Sequence, residues 1–134
     1  MEEVDDTPIY FYVQADLLNG RAEPTKSSGI ESFFDYGDII EATGKWSDDY
    51  RWVEVYGGEP GSVWVKISYV SERKGHCLFK NEDYNKVKIR KRPVQGKVIG
   101  YIKRGQSIDI SQVVLGWGKC DKGWVDLSFL NEVK

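Results

Sequence analysis

His76 and Cys77 are neighbours in the stretch KGHCLF, and a thiol beside an imidazole is the first candidate for nucleophilic catalysis. Such catalysis needs the thiolate and the imidazole to converge in space, with a third group that orients the imidazole. Successive side chains of a β-strand point to opposite faces, so an adjacent pair on a strand cannot readily form a dyad. We therefore expect Cys77 to be a packing residue, and we predict no catalytic residue and no enzyme.

Other residues that could carry chemistry are few. One histidine and two cysteines, Cys77 and Cys120, lack the spacing of a metal site, so neither a metal nor a cofactor is predicted. Acidic clusters occur in EEVDD (2–6) and at Asp48 and Asp49, but neither has the ligand order of a calcium loop. We interpret both clusters as solvated turns.

The charges divide the chain into two opposite halves. Residues 1–70 contain 5 Lys and Arg against 14 Asp and Glu, a balance of −9, whereas residues 71–134 contain 14 against 7, a balance of +7. This split predicts that the halves face each other or that each meets a different partner. A salt-sensitive self-association, acidic face to basic face, is a further expectation.

A basic patch is predicted around KVKIRKRP, where strand alternation turns the charged side chains outward. Small barrels bind nucleic acid with such charge beside aromatic rings. The −9 of the first half would repel phosphates, so nucleic acid is the disfavoured alternative; inhibition of a DNA-binding protein by the acidic half is another. The patch comprises Lys86, Lys88, Arg90, Lys91, Arg92, Lys103 and Arg104, with Lys97 beside it.

With 40% hydrophobic and 13% aromatic residues, the 134-residue chain can bury a core, which excludes a disordered protein. No apolar run approaches the roughly 18 residues of a membrane span, and the acidic start MEEVDDTPIY is unlike a signal peptide. The expectation is a soluble protein without a membrane span. The sequence predicts no particular cellular compartment.

A repeated sequence motif indicates that the chain contains two similar units. WVKISYV (64–70) returns as WVDLSFL (124–130), and the correspondence continues upstream with Trp52 on Trp117 and Ile40 on Ile108. Residues 76–80 align with the opening segment IYFYV (9–13). Short segments with period-two apolar alternation between Gly, Asp, Asn and Pro predict an all-β fold, about five antiparallel strands in each unit.

The stretches LLNGRAEPTKSSGIESFFDYGDIIEATG, RWVEV and SVWVKISYV resemble the bacterial SH3-like (SH3b) domain, with its Leu-Asn-x-Arg-x-x-Pro start and its closing Trp-Val. The second copy keeps Arg90 and Pro93 but lacks the Asn. The resemblance implies two small SH3-like β-barrels in tandem, an acidic one at 5–71 and a basic one at 75–134. Because only SERK (71–74) joins them, we expect the barrels to pack against each other.

Domains of this family are mostly non-catalytic, so the resemblance implies a binding protein that recognises a protein or peptide. A cell-wall peptide module of an envelope or secreted protein is the first alternative. Exposed aromatic residues are typical recognition anchors. The residues predicted to line ligand grooves are Tyr36, Tyr50 and Trp52 in the first unit and Tyr101 and Trp117 in the second.

Overall fold

The computed structural model describes residues 7–58 and 61–134, which form an all-β protein in three antiparallel sheets. Its only helices in this part of the chain are two three-residue 3-10 turns, Ile67–Tyr69 and Leu127–Phe129. Neither turn has the length or the apolar sequence of a helix that crosses a membrane. The EEVDD segment (2–6), the first two residues of the predicted acidic barrel and the hairpin positions 59–60 lie outside the described residues.

Seven strands between residues 10 and 71 form one sheet, which we call the N-terminal sheet. Its spatial order is β3-β2-β6-β5-β4-β1-β7. The apolar alternation of the sequence appears as alternating burial, for instance in β4, where Ile40 and Ala42 are buried between more exposed neighbours. The strands are β1 (Tyr10–Val13), β2 (Leu17–Arg21), β3 (Ile30–Asp35), β4 (Ile39–Trp46), β5 (Trp52–Gly58), β6 (Gly61–Lys66) and β7 (Val70–Ser71).

Eight strands between residues 77 and 132 form the two C-terminal sheets. One has the order β10-β9-β14-β13-β12 and the other the order β11-β8-β15. The strands are β8 (Cys77–Lys80), β9 (Lys86–Arg90), β10 (Val98–Lys103), β11 (Ser107–Ile110), β12 (Gln112–Val114), β13 (Trp117–Lys119), β14 (Trp124–Asp126) and β15 (Asn131–Glu132).

Both parts of the chain use the same strand pairings. The pairs β1·β4, β1·β7, β2·β3, β2·β6, β4·β5 and β5·β6 of the first part reappear as β8·β11, β8·β15, β9·β10, β9·β14, β12·β13 and β13·β14. Gly37 and Gly105 occupy the matching turns with φ of 85° and 86°, in the left-handed region that favours glycine.

Two details differ from the sequence prediction. Each part has more than five strands, because a two-residue strand follows each 3-10 turn and the counterpart of β4 is divided into β11 and β12. The alignment of 76–80 with 9–13 is wrong by one residue: Phe11 pairs with Ile40 and Phe79 pairs with Ile108. Cys77 therefore corresponds to Ile9. The chain from Phe79 to Arg90 is one residue longer than the chain from Phe11 to Arg21, so the alignment of the two copies shifts there.

The apolar side chains form two core clusters. The smaller cluster lies between the C-terminal strands and includes Phe79, Ile89, Ile102 and Ile110. The larger is built around Phe11 and the valines of β5 and β6, and it also takes in Val114 and Trp124 from the C-terminal sheets. The two parts of the chain consequently share apolar packing.

Hydrogen bonds join the same two parts. The buried Ser71 hydroxyl accepts from the Val113 N–H at 3.0 Å, and the Glu72 N–H donates to the Val113 carbonyl at 2.7 Å. The Gln112 side-chain amide lies within 3.0–3.2 Å of the carbonyl oxygens of Ile67, Ser68 and Val70. Among the described residues, both ion pairs, Arg73–Glu132 and His76–Asp109, lie within 71–134. A charged contact between the two parts is the cation–π contact of Lys74, whose ammonium lies 4.9 Å from the centre of the Tyr12 ring.

Candidate functional site

A groove of about 450 Å³ opens beside strand β2 of the N-terminal sheet. We call it groove A. Its walls come from strand β2 and the loops on either side of it, from the start of β5 at Trp52, and from the end of β6 with the following 3-10 turn. Its lining residues are Ala15, Asp16, Leu17, Leu18, Asn19, Arg21, Lys26, Trp52, Lys66 and Tyr69.

A second groove, of about 380 Å³, opens beside strand β9, and we call it groove B. Two of its aromatic residues pack edge to face, since the rings of Tyr84 and Phe129 lie 5.3 Å apart at 90°. Its lining residues are Tyr84, Lys86, Val87, Lys88, Arg90, Val94, Trp117, Asp126 and Phe129.

The two grooves occupy the same place in the two sets of strands. Trp52 pairs with Lys66 across β5 and β6, as Trp117 pairs with Asp126 across β13 and β14. Tyr69 and Phe129 each end the 3-10 turn that follows. A groove of this size, with an aromatic wall and a few polar groups, has the dimensions of a ligand site.

An arginine supports each groove in the same way. Arg21 lies opposite Trp64 and donates from Nη1 to the Ser28 carbonyl at 2.8 Å. Arg90 lies opposite Trp124 and donates from Nη1 to the Gly96 carbonyl at 2.9 Å. Each guanidinium therefore holds the loop that borders its groove, which is a structural role for the arginine of the Leu-Asn-x-Arg motif.

Of the five aromatic residues predicted to line ligand grooves, Trp52 and Trp117 do so. Tyr36 is exposed but lies in the turn after β3, outside both grooves. Tyr50 has a positive φ of 57° and its ring lies 5.6 Å from that of Trp46. Tyr101 borders a wider depression of about 600 Å³ that also contains His76 and Asp109.

Three further aromatic residues line the grooves but were not among the predicted ones: Tyr84, and the pair Tyr69 and Phe129, which share one repeat position. The pair belongs to the repeated ending, where an aromatic residue follows Ser in WVKISYV and WVDLSFL. The shared aromatic position was the available signal in the sequence, whereas the half-exposure of both rings is seen only in the structure. Lys26 and Lys66, by contrast, carry no repeat signal.

The basic patch divides into two groups. Lys86 lies opposite Lys103 and Lys88 opposite Tyr101 on β9 and β10, and the Lys86 ammonium lies 4.3 Å from the centre of the Tyr101 ring. This cation–π contact partly offsets the repulsion between facing lysines. Lys86, Lys88 and Arg90 also line groove B. The remaining patch residues lie at loop positions, namely Lys91, Arg92 and Arg104, whose Nη2 donates to the Asp83 carbonyl.

His76 and Cys77 turn to different partners. The imidazole Nδ1 pairs with the Asp109 carboxylate, whereas the Cys77 thiol lies 3.8 Å from the Ile110 carbonyl oxygen. Burial raises the pKa of the Cys77 thiol, and the carboxylates of Glu132 and Asp109 act in the same direction. A raised pKa lowers the thiolate fraction at neutral pH, which disfavours a nucleophilic role.

In the acidic turn at Asp48 and Asp49, Asp49 has a structural role. Asp49 accepts hydrogen bonds from the Ser47 hydroxyl at 2.7 Å and the Arg51 N–H at 3.1 Å. Burial would raise the pKa of Asp49, but these bonds and the nearby Arg51 charge hold it below its ordinary value. In the described part of the chain, no group of three His, Cys, Asp or Glu residues could hold a metal ion.

No protein-family model and no curated protein matches this chain. Solved structures that resemble it include NlpC1 and NlpC2 from Trichomonas vaginalis, with 10% and 11% sequence identity and TM-scores of 0.40 and 0.39. The matches cover 97% and 96% of this chain but 48% and 49% of those proteins, so the chain spans about half their length. The function proposed below rests on the residues of the two grooves.

Proposed function

We propose that this protein is a non-enzymatic binding protein that holds an extended peptide in each of its two grooves. The observation that supports the proposal is the repeated position of the grooves, each with a tryptophan and a second, half-exposed aromatic residue. In this reading residues 5–71 and 75–134 are two SH3-like barrels in tandem. Their shared core and hydrogen bonds hold both grooves on one body.

The chemistry of the groove walls favours a peptide. Aromatic rings and the aliphatic parts of the lysine side chains supply apolar contact area. The side-chain amide of Asn19 and the ammonium groups of Lys88 and the other groove lysines can form hydrogen bonds with the main chain of a peptide. Catalysis has no comparable support, since the thiol of Cys77 and the imidazole of His76 bond to different partners.

A cell-wall peptide is the second candidate ligand. Three residues of the SH3b-like start, Leu18, Asn19 and Arg21, lie in the wall of groove A. The motif that carries the resemblance therefore coincides with the groove. A peptide of the cell wall would enter the same groove as a protein segment would.

Peptides selected from a displayed random library, then titrated into the ¹⁵N-labelled protein, test the proposal. We expect their chemical-shift changes to map to β2 or β9 and to the two 3-10 turns. Tyr69→Ala should weaken binding in groove A and Phe129→Ala in groove B, by about tenfold or more if each ring is an anchor. Tyr36→Ala is the matched control, because Tyr36 is an exposed aromatic outside both grooves.

Binding that survives Tyr69→Ala and Phe129→Ala but is lost with Tyr36→Ala would overturn the proposal. Sedimentation of the same variants with purified peptidoglycan addresses the second candidate. Retention of the wild type, with loss in Tyr69→Ala alone, would assign the cell-wall peptide to groove A. A salt-dependent mobility shift with nucleic acid, abolished by charge reversal of Lys86 and Lys88, would instead favour the nucleic-acid alternative.

A further inference from the structure

Groove A concentrates the positive charge of an otherwise acidic region. Residues 1–70 contain five basic side chains, Arg21, Lys26, Lys45, Arg51 and Lys66. Three of these five line groove A, namely Arg21, Lys26 and Lys66. Arg51 lies close enough for its charge to act on Lys66. Three of the five cations therefore line one groove, and the charge of a fourth acts on it.

Negative charge offsets this group only in part. Of the 14 carboxylates of residues 1–70, only Asp16 lines the groove within the part of the chain that the structure describes. Arg21 is engaged by the Ser28 carbonyl, and Arg51 lies near Asp49. Over the same described residues, neither Lys26 nor Lys66 has an ion-pair partner.

The pKa of Lys66 also reflects the concentration of positive charge in groove A. Burial lowers it first, and the positive charges of Lys26 and Arg51 lower it further. Two ammonium groups that repel each other in a partly buried groove would gain from an anion placed between them. Repulsion between the two lysines is therefore unfavourable in the empty groove and is relieved when an anionic ligand binds.

Groove B has its charges at different positions. Asp126 takes the position of Lys66, and its carboxylate accepts hydrogen bonds from the N–H and hydroxyl of Ser128 at 3.0 and 2.7 Å. The cations of groove B, Lys86, Lys88 and Arg90, all lie on its β9 wall, where groove A has Leu17, Asn19 and Arg21 on β2. The repeat therefore conserves the shape of the groove and its balance of three cations to one carboxylate, but the charges stand at different positions, so the grooves must differ in the ligand they prefer.

We propose that groove A is a carboxylate-binding site that takes a peptide with its carboxylate between Lys26 and Lys66. This inference rests on the proposed peptide function and names the ligand chemistry of one groove. The carboxylate belongs to the C-terminus of the peptide or to an Asp or Glu side chain. Tyr69 and Leu17, both half-exposed at the same groove, contact the apolar part of the ligand.

Three short peptides separate the two sources of the carboxylate. Acetyl-tetraalanine has a free C-terminal carboxylate, its C-terminal amide has none, and acetyl-Ala-Glu-Ala-Ala-amide has a side-chain carboxylate alone. Each is titrated into the ¹⁵N-labelled full chain at low salt, with the amides of Leu17–Arg21 and Lys66 as reporters. We expect the first or third peptide to bind about tenfold more tightly than the uncharged amide.

The matched variants are Lys66→Asp, which places the groove B residue in groove A, and Lys97→Asp, which makes the same charge change at an exposed site outside the groove. Lys66→Asp should abolish the preference for the carboxylate, whereas Lys97→Asp should leave it unchanged. Addition of salt should weaken binding of the charged peptides more than binding of the amide.

Equal affinity for all three peptides would overturn the carboxylate site and leave the peptide-binding groove intact. Carboxylate binding that persists in Lys66→Asp would also overturn it. If none of the peptides shifts the reporters, the carboxylate site is wrong, and the library selection decides separately whether the grooves bind peptides at all.

Discussion

Gln112 donates its side-chain amide to the main-chain carbonyl of Ile67 at 3.1 Å, across the boundary between the N-terminal and C-terminal sheets. The same amide nitrogen lies 3.2 Å from the Ser68 carbonyl and 3.0 Å from the Val70 carbonyl. One side-chain amide thus lies against two carbonyls of the 3-10 turn and the carbonyl of the residue that follows it. Since Tyr69 of groove A belongs to this turn, Gln112 also positions the groove.

Gln112→Ala should therefore lower the free energy of unfolding by about 1–3 kcal/mol, because partly buried carbonyls lose their donor. Urea unfolding followed by tryptophan fluorescence measures the loss. Gln95→Ala, a change at an exposed loop residue, is the control and should have little effect. Equal losses in the two variants would show that Gln112 has no special role at the boundary.

Glu72, at the boundary between the N-terminal and C-terminal sheets, should make the stability of the protein depend on pH. Burial raises the pKa of its carboxyl above the ordinary 4.5, although the Leu115 N–H donates to it. The folded protein then binds the proton more tightly than the unfolded chain, so the contribution of Glu72 to stability falls as pH rises from about 4.5 through the raised pKa.

Glu72→Gln should remove this fall while keeping an oxygen that accepts from Leu115. The difference in free energy of unfolding, variant minus wild type, should grow as pH rises through that interval and then become constant. Thermal unfolding across the pH range measures it. Glu82→Gln, at an exposed carboxylate, serves as the control. A difference for Glu72→Gln that does not vary with pH would contradict the assignment.

The Cys77 thiol should react slowly with iodoacetamide. Its pKa is raised by burial, and the sulfur lies against the Ile110 carbonyl. In a Cys120→Ala background, alkylation at pH 8 should be slower in the folded protein than in urea, where the thiol regains its ordinary pKa. A folded-state rate above the rate in urea would reveal an activated thiol.

Replacement of His76 and Cys77 together by Ala should leave peptide binding intact. Neither side chain lines groove A or groove B, and Cys77 is only partly buried, so a loss of at most a few kcal/mol in stability is expected. Titration of the selected peptides and urea unfolding measure the two effects. A hydrolytic or transferase activity that disappears in this variant would show that the protein is an enzyme.

The charge asymmetry should act between molecules. In the described residues, no ion pair joins residues 7–70 to residues 71–134, and the two parts meet through apolar contacts, hydrogen bonds and the cation–π contact of Lys74 with Tyr12. The exposed Lys86, Lys88 and Lys103 keep their charge available to an acidic face of another copy.

Light scattering at low and high salt should accordingly show a mass that falls toward the monomer as salt is added. Reversal of Lys86 and Lys88 to Glu should lower the mass at low salt. Arg90 is left unchanged because it holds the Gly96 carbonyl. A protein that is monomeric at every salt concentration would exclude self-association as the use of this asymmetry.

The sequence by itself determined the all-β class and the places where the two copies agree. Strand periodicity assigns side chains to faces, so the positions of Trp52 and Trp117 in matching grooves could be predicted. The repeat also contained Tyr69 and Phe129. Their exposure could not be predicted, because the apolar segment to which they belong would equally suit a buried core.

Only the tertiary structure decided the electrostatics of the grooves. Lys26 lies in the loop between β2 and β3, while Lys66 ends β6, and no local pattern predicts that strand pairing and loop folding bring residues forty positions apart to one groove. Net charge likewise describes a segment and not a surface, which is why an acidic half can contain a cationic groove. Local periodicity is encoded in neighbouring residues, whereas the convergence of distant loops depends on the packing of the whole chain.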